Sequence, residues 1–298
     1  MLDLNRIRLL REVSLHGSMS AAARSLSYSH SAISQQLSLL ERETGVKLLE
    51  RAGRNVQLTA AGRELVRNTE TVLAAMEKAE SDLAASHGRA QGAFTVAAFA
   101  SISRAVLPAA LVRIAQAHPD LEVRIQRYEP EDAIVRLASR QVDAIITDSF
   151  PGTSSGSANG LHTTILGQDP IRGYLPAGLE ISDAQAAANI PWVMEPAETA
   201  AAQWALRMCR ERGFEPRVLH VSSDVLFHLR MVERGLAAAF LPDMLIVETG
   251  SRLQPSHWLP ADQRRTLLLI ARKGSEDNLA LTAVRLALED ELRHVDKL

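Results

Sequence analysis

Between residues 29 and 38 the chain carries short polar side chains at helical spacing: Ser29, His30, Ser31, Ser34, Gln35 and Ser38. If this stretch is a helix, Ile33, Leu37 and Leu40 fall at i, i+4 and i+7 and form one buried stripe, and the polar set faces away from it. Gln35 can present an acceptor and a donor together to an adenine edge, and Ser34 can reach a base or a phosphate. Ser31 and Ala32 are small, so the backbone can approach a groove closely. This is the chemistry of base reading rather than of bond making. A single polar helix face is also what any solvated helix shows, so the weight rests on the elements around it.

Those elements follow in order. Leu4, Ile7, Leu10 and Val13 recur at helical spacing, and Gly17 closes the pattern. Ser18 is suited to cap a second helix rich in alanine, Ser27-Tyr28-Ser29 interrupts it, and Ser29 is suited to cap the third, which Gly45 ends in a left-handed C-cap. A hairpin comes next: residues 48–51, a turn at Ala52-Gly53-Arg54-Asn55, and residues 56–58. Arg51 and Arg54 stand where a wing would flank a DNA backbone and position the protein without reading sequence. Either arginine could instead pair with Glu50 or Glu64.

From Thr59 to about His87 few residues break a helix. Leu65, Thr69, Val72, Met76, Ala79 and Leu83 are spaced 4, 3, 4, 3, 4, which is an a/d seam flanked by charges. A helix packed on its own domain could show similar spacing, but the charged flanks favour two helices paired along Leu65, Val72, Met76 and Leu83. The segment 87–92 then ends the helix.

Beyond Ala93 strands and helices alternate, which argues for an α/β domain. Strands are expected at 94–99, 121–127, 142–147, 163–166, 171–175, 192–194, 218–221, 237–241 and 266–271. Helices are expected at 103–117, 130–139, 199–212, 224–233 and 276–294. Residues 151–160 read as a Gly/Ser-rich loop.

The N-terminal block resembles the winged helix-turn-helix of LysR-type transcriptional regulators. The matching residues are Gly17-Ser18, Ala21-Ala22, Leu26, Ser29, Ala32-Ile33-Ser34, Leu39 or Leu40 with Glu41, Gly45, Leu48, Arg51, Leu58-Thr59 and Gly62. Two positions depart from the pattern. Leu49 stands where phenylalanine is usual, which affects packing. His30-Ser31 stands where Gln-Pro is common, which affects the bases read. The resemblance implies a DNA-facing set of Ser29, His30, Ser31, Ser34, Gln35, Arg51, Arg54 and Thr59, and a linker helix that pairs two subunits so that two recognition helices read a two-fold related operator.

The C-terminal half is similar to the same family's effector domain, through Leu107-Pro108, His118-Pro119, Val142-Asp143-Ala144-Ile145, Gly213-Phe214-Glu215-Pro216, residues 232–237 and Leu241-Pro242. The implied organisation is a DNA-binding domain at 1–58, a linker at 59–91 and an effector domain at 92–298. The effector domain would resemble periplasmic binding proteins, with one lobe at 92–161 and 266–298 and the other at 162–265. Ser101, Thr147, Thr199, Ser222 and Ser223 fall at strand and helix ends facing the implied cleft, where free N–H groups bind polar ligands. Each could equally be an ordinary N-cap. Asp148, Glu195 and Glu198 are nearby, and with the helix ends they suit a ligand carrying both an amine and an acid, such as an amino acid.

Composition agrees with a regulator. Net charge is only −2, but residues 1–67 hold 10 Lys or Arg against 6 Asp or Glu, and the remainder holds 23 against 29. The lone Cys209 excludes an internal disulfide and argues against a cysteine-based metal site. No HxxxH pair or P-loop is present, so neither catalysis nor a cofactor is expected. No run is long and apolar enough to span a bilayer, and no secretory leader is evident, so the cytoplasm is the expected location. The expected partners are double-stranded DNA, a small effector and further copies of the chain, as a dimer or a dimer of dimers.

Overall fold

The computed structural model describes residues 2–26, 28–52, 55–86, 88–128, 130–153, 160–176, 178–181, 183–260 and 262–295. The three N-terminal helices start and stop as their capping residues dictate. Asp3 accepts from the Asn5 and Arg6 amides at the start of α1 (Leu4–His16), and Gly17 ends it at φ 67°. The Ser18 hydroxyl accepts from Ala21 N to open α2 (Met19–Ser25), and Ser29 accepts from Ala32 N to open α3 (His30–Thr44). Gly45 closes α3 at φ 70°, a conformation in which a side chain would be strained. Leu10, Ile33, Leu37, Leu40 and Leu48 form one core, against which Ala22 and Ala23 let α2 lie close. Strands β1 (Leu49–Ala52) and β2 (Asn55–Leu58) pair antiparallel as the wing.

Glu41 joins the recognition helix to this wing. Its Oε1 accepts from the backbone N–H groups of Leu48 (2.9 Å) and Leu49 (3.1 Å), and its Oε2 from Lys47 Nζ (2.6 Å). Burial alone would raise the carboxyl's pKa, but the Lys47 and backbone hydrogen bonds outweigh it and hold the group below its ordinary value. A carboxyl depressed in the folded state stabilises above its unfolded value, and that contribution is lost as pH falls through the folded one. Glu41→Gln should therefore cost about 1–3 kcal/mol at neutral pH. The gap to the native chain should close once pH drops below about 4. Urea unfolding followed at several pH values checks this; a gap that persists at low pH would mean that shape rather than charge is at work.

Thr59 caps the 26-residue α4 (Ala60–Ala85) by accepting from Gly62 N, and its hydroxyl donates to Lys47 O. A Cβ at Gly62 would overlap the Leu48 carbonyl, so glycine is what lets α4 lie against the wing's base. Further along, Glu77 and Ser81 are buried on one face of α4. That face docks on the chain's own C-terminal half. Glu77 meets Arg140 (2.7 Å) and Arg272 (3.1 Å), Glu80 meets Arg140 (2.8 Å), and Lys78 meets Asp277 (3.3 Å). Arg11 on α1 bonds both Glu70 on α4 and the Ala138 carbonyl. A Cβ at Gly274 would overlap the Ala74 carbonyl oxygen, which marks how closely the two parts approach.

The C-terminal half runs β3 (Gly92–Ala98), α5 (Ala100–Ala105), α6 (Leu107–Ala117), β4 (Leu121–Gln126), α7 (Pro130–Ala138), β5 (Ala144–Ser149) and β6 (Leu161–Tyr174). It continues α8 (Ala184–Asn189), β7 (Pro191–Met194), α9 (Ala200–Glu211), β8 (Arg217–Val221), α10 (Val225–Glu233), β9 (Ala239–Pro242), α11 (Asp243–Thr249), β10 (Gln263–Arg272) and α12 (Leu279–Val295). The six-stranded sheet has the order β4-β3-β5-β10-β6-β9, and β7 pairs with β8 separately. Strands β3, β4 and β5 are parallel; β10 runs antiparallel to both β5 and β6. One large apolar core lies around β3, β5, β10, α6 and α12, and a second, richer in aromatics, around β7, α9 and Phe214.

Three expectations need correction. The helix expected at 103–117 is two helices, broken at Val106 (φ −120°, ψ −48°). Pro108 has no N–H to bond the residue four back, so a new helix starts at its own first turn. The strands expected at 163–166 and 171–175 are one strand, β6, which runs alongside β10 with a register shift at Leu267/Leu268. Two helices went unforeseen, α8 and α11, both too short to show a period.

Candidate functional site

The polar face of α3 is open to solvent as expected. Ser29, His30, Ser31 and Gln35 are exposed and Ser34 is half-buried, opposite the buried Ile33, Leu37 and Leu40. Ser29 is already used as the cap and pairs with Ser31 Oγ at 3.0 Å, so it shapes the helix start as well as facing outward. Gln36, the neighbour of Gln35, is held by Arg6 Nε at 3.1 Å, and Arg6 also meets Glu43, which fixes α1 against α3. Arg51 lies on β1 opposite Val56, its side chain not described; Arg54 lies outside the described residues. Thr59 is half-buried and its hydroxyl is spent on Lys47 O and Gly62 N, so its role is in holding α4 to the wing.

The linker helix has two faces. Val72 (49% exposed), Met76 (38%) and Leu83 (69%) form an apolar stripe on the side away from Glu77 and Ser81. Leu65 lies on the same line but is partly buried against the N-terminal core, and Thr69 is buried too. The seam read from spacing is therefore exposed from Val72 onward, at Val72, Met76, Ala79 and Leu83, and covered at Leu65 and Thr69.

The cleft lies where β3, β5 and β10 end against α9 and α10. It has a volume of about 190 Å³, and Ser101, Thr147, Thr199 and Ser223 all line it, as do Asp148 and Glu195. Ser222 is not in its wall: its Oγ accepts from Asp224 N and its carbonyl meets His228 Nε2 at 2.8 Å. Glu198 is exposed outside the wall. Thr199 is the N-cap of α9, accepting from Ala202 N and donating to Pro196 O.

The residue that organises the cleft is one that sequence reasoning missed. The side chain of Arg265 on β10 is only 5% exposed, and every nitrogen of it is used. Its Nε and Nη2 donate to Asp169 Oδ2 at 3.0 and 2.7 Å, its Nη1 to Asp148 Oδ2 at 2.9 Å, and its Nη2 also to Ser101 Oγ at 3.0 Å. Its guanidinium carbon lies 5.2 Å from the centre of the Phe99 ring. Asp169 on β6 stands directly across from Arg265 in the sheet, and its other oxygen accepts from Met244 N at the start of α11. The Ser101 hydroxyl is thus buried and committed to Arg265. Arg265 bonds two carboxylates, and Arg127 and Glu195 add one charge of each sign to the wall, so the group carries an excess of one negative charge. Asp148 is the more open of the two aspartates (21% against 4%), so the excess is presented to the cleft through it. Burial raises the Asp148 carboxyl's pKa, and Arg265 opposes that. A signal was available: an arginine and an aspartate inside two otherwise apolar or alternating strands must pair, because a lone buried charge is too costly.

Burial pushes the Cys209 thiol up to about 12, so it is no nucleophile at neutral pH. Gly152-Thr153-Ser154-Ser155-Gly156 spells a G-x-S-x-G string, whose Ser154, Ser155 and Gly156 lie outside the described residues. Among the described residues no group of His, Cys, Asp and Glu is placed to hold a metal ion, and no helix is long and apolar enough to cross a membrane.

A three-helix head with a wing, a long helix with an exposed apolar stripe, and an α/β domain with a polar cleft together define a DNA-binding regulator that carries its own ligand-binding domain. Comparison with known proteins gives the family. Residues 4–63 match the bacterial regulatory helix-turn-helix proteins of the lysR family, and residues 87–293 match the LysR substrate binding domain. The chain belongs to the LysR-type transcriptional regulators: it has a DNA-binding helix-turn-helix and an effector-binding domain, and it is not an enzyme. It is 25% identical over 281 residues to the transcriptional dual regulator GltC of Bacillus subtilis, covering 92% of each chain. Full-length OxyR from Pseudomonas aeruginosa has a similar fold (TM-score 0.64, 18% identity, covering 97% of this chain and 95% of that one). So does CbnR in complex with its target DNA (TM-score 0.52, 20% identity, 97% and 99%).

Proposed function

We propose that this chain works in the cytoplasm as a homodimer, or a tetramer of two dimers, that binds a two-fold related operator and changes its activity when an amino-acid-like effector enters the cleft of its C-terminal half. The observation that carries the DNA part is the polar face of α3: His30, Ser34 and Gln35 lie opposite a fully buried stripe with no side-chain hydrogen bond to another described residue, and Ser31 beside them is engaged only with the cap Ser29. Arg51 and Arg54 would hold the wing to phosphates. Val72, Met76 and Leu83 would pair two linker helices and so set the distance between two recognition helices.

The effector reading rests on charge. The excess carboxylate at Asp148 favours an amine, while the free N–H groups in the first turn of the 12-residue α9 favour a carboxylate. Thr147 and Ser223 line the space between with hydroxyls that no described residue engages.

The DNA reading is tested by Gln35→Ala. It should weaken binding to the specific operator by about 1–3 kcal/mol and relax preference at one base pair. Binding to random DNA should be nearly unchanged. Electrophoretic shifts on the DNA upstream of the gene, against a scrambled duplex, measure both. Equal weakening on both duplexes would remove Gln35 from the groove.

A further inference from the structure

Behind the polar cleft lies a second chamber of about 50 Å³ within the aromatic-rich core of the C-terminal half. The two spaces share Phe150, Glu195, Ala201, Val225 and Arg265 in their walls, so they adjoin. The chamber is mainly apolar. Phe150 and Phe240 flank Trp204 with ring centres 5.6 and 5.1 Å away, the second edge-on. Trp204 is 1% exposed, and its indole Nε1–H has no hydrogen-bond partner among the described residues. A buried donor left unpaired is costly and uncommon. The neighbouring Trp192 shows the usual outcome, its indole N–H donating to Ala187 O at 3.2 Å. The exception therefore sits on a ring that lines an apolar chamber adjoining the ligand cleft.

We infer that the effector is an α-amino acid with an unbranched, apolar thioether side chain, of the methionine type, whose polar head stays in the cleft and whose side chain enters this chamber. The inference rests on the cleft reading proposed above and extends it to the ligand's other end. At roughly 10–15 Å³ for each water-sized position, the chamber holds about three to five heavy atoms. A methionine side chain beyond Cα has that size. A flexible thioether can turn into an irregular space, its sulfur makes favourable contacts with aromatic rings, and it is an acceptor, if a weak one, for the Trp204 N–H. Apart from Glu195 and Arg265 on the wall shared with the cleft, and His228, which is engaged with Ser222 O, the lining is apolar or aromatic, so an acidic or basic side chain is disfavoured there.

Isothermal titration of the full chain with L-methionine, L-norleucine, glycine and L-glutamate tests this. L-Methionine should bind at least tenfold tighter than glycine or L-glutamate, and several-fold tighter than L-norleucine, which has the same length and no acceptor. Trp204→Phe keeps the ring system apolar and removes the N–H, and should bring L-methionine and L-norleucine to equal affinity. Ala205→Leu, at a buried position that lines the chamber and not the cleft, fills the chamber and should abolish the preference for L-methionine while glycine still binds. Glycine and L-methionine binding equally in the native chain would overturn the inference and leave the cleft reading standing. So would a preference for L-methionine that survives both substitutions. No binding by any of the four amino acids would overturn the cleft reading and this inference together.

Discussion

Arg265→Met should destabilise the C-terminal half more than any other single substitution in the cleft. The change removes the cation that bonds both Asp148 and Asp169 and leaves two carboxylates facing each other, one of them 4% exposed. Breaking a buried charge set by removing one member costs about 3–5 kcal/mol, because the remaining charge stays buried without its partner. In a domain of about 200 residues that corresponds to a fall in melting temperature of roughly 10 °C. The pH dependence has a definite sign. Burial already raises Asp148 despite Arg265, and without the arginine its carboxylate is disfavoured further. A carboxyl raised in the folded state binds more protons there than in the unfolded chain, so the variant's deficit should grow as pH rises from about 4 towards neutrality and shrink in acid. Adding Asp148→Asn and Asp169→Asn to Arg265→Met should recover much of the loss, since neutral amides can bond each other and Ser101. Calorimetric melts of the single and triple variants at two pH values measure this. A single variant that melts with the native chain would mean that the three groups contribute no net stability.

The parts legible from sequence are those governed by local rules. Ser18, Ser29 and Thr59 are caps because their hydroxyls suit the first turn, and Gly17 and Gly45 end helices because only glycine adopts their φ without strain. The stripe Ile33, Leu37, Leu40 follows from a period of 3.6 and was buried as that period requires. What was hidden depends on contacts far apart in the chain. Asp169 and Arg265 are opposite one another only because β6 and β10 pair in one register. Ser101 could be placed at the cleft by its position after β3, but nothing local shows that Arg265 takes its hydroxyl. The same holds for the linker helix. A seam read by spacing alone includes Thr69, yet Thr69 is buried within the chain, and the other face of α4 is occupied by Arg140 and Arg272 from the effector half. Two faces of one helix serve two different neighbours, and heptad spacing sees only one of them.

That division makes the pairing of α4 testable without disturbing the rest. Val72→Glu and Met76→Glu place carboxylates on the exposed stripe, where the isolated chain has room for them: Val72 is 49% and Met76 38% exposed. In a paired seam the same substitutions bring like charges together and desolvate them. The chain's own fold should therefore persist, with Glu77 still held by Arg140 and Arg272 on the opposite face, while the oligomer's mass falls to that of a monomer. Operator binding should weaken by roughly 10²–10⁴-fold, because the second recognition helix no longer benefits from the effective concentration that the first provides. Affinity for a single half-site should change little, since α3 is untouched. Sedimentation together with binding to full and half operators separates these outcomes. Glu77→Gln is the comparison on the docked face. It removes the charge that meets Arg140 and Arg272, so it should loosen α4 from the effector half, leaving the oligomer's mass intact and altering the response to ligand. If the two glutamate substitutions leave mass and full-site affinity as they were, the exposed stripe is not the pairing surface. The recognition helices must then be spaced by contacts between effector domains instead.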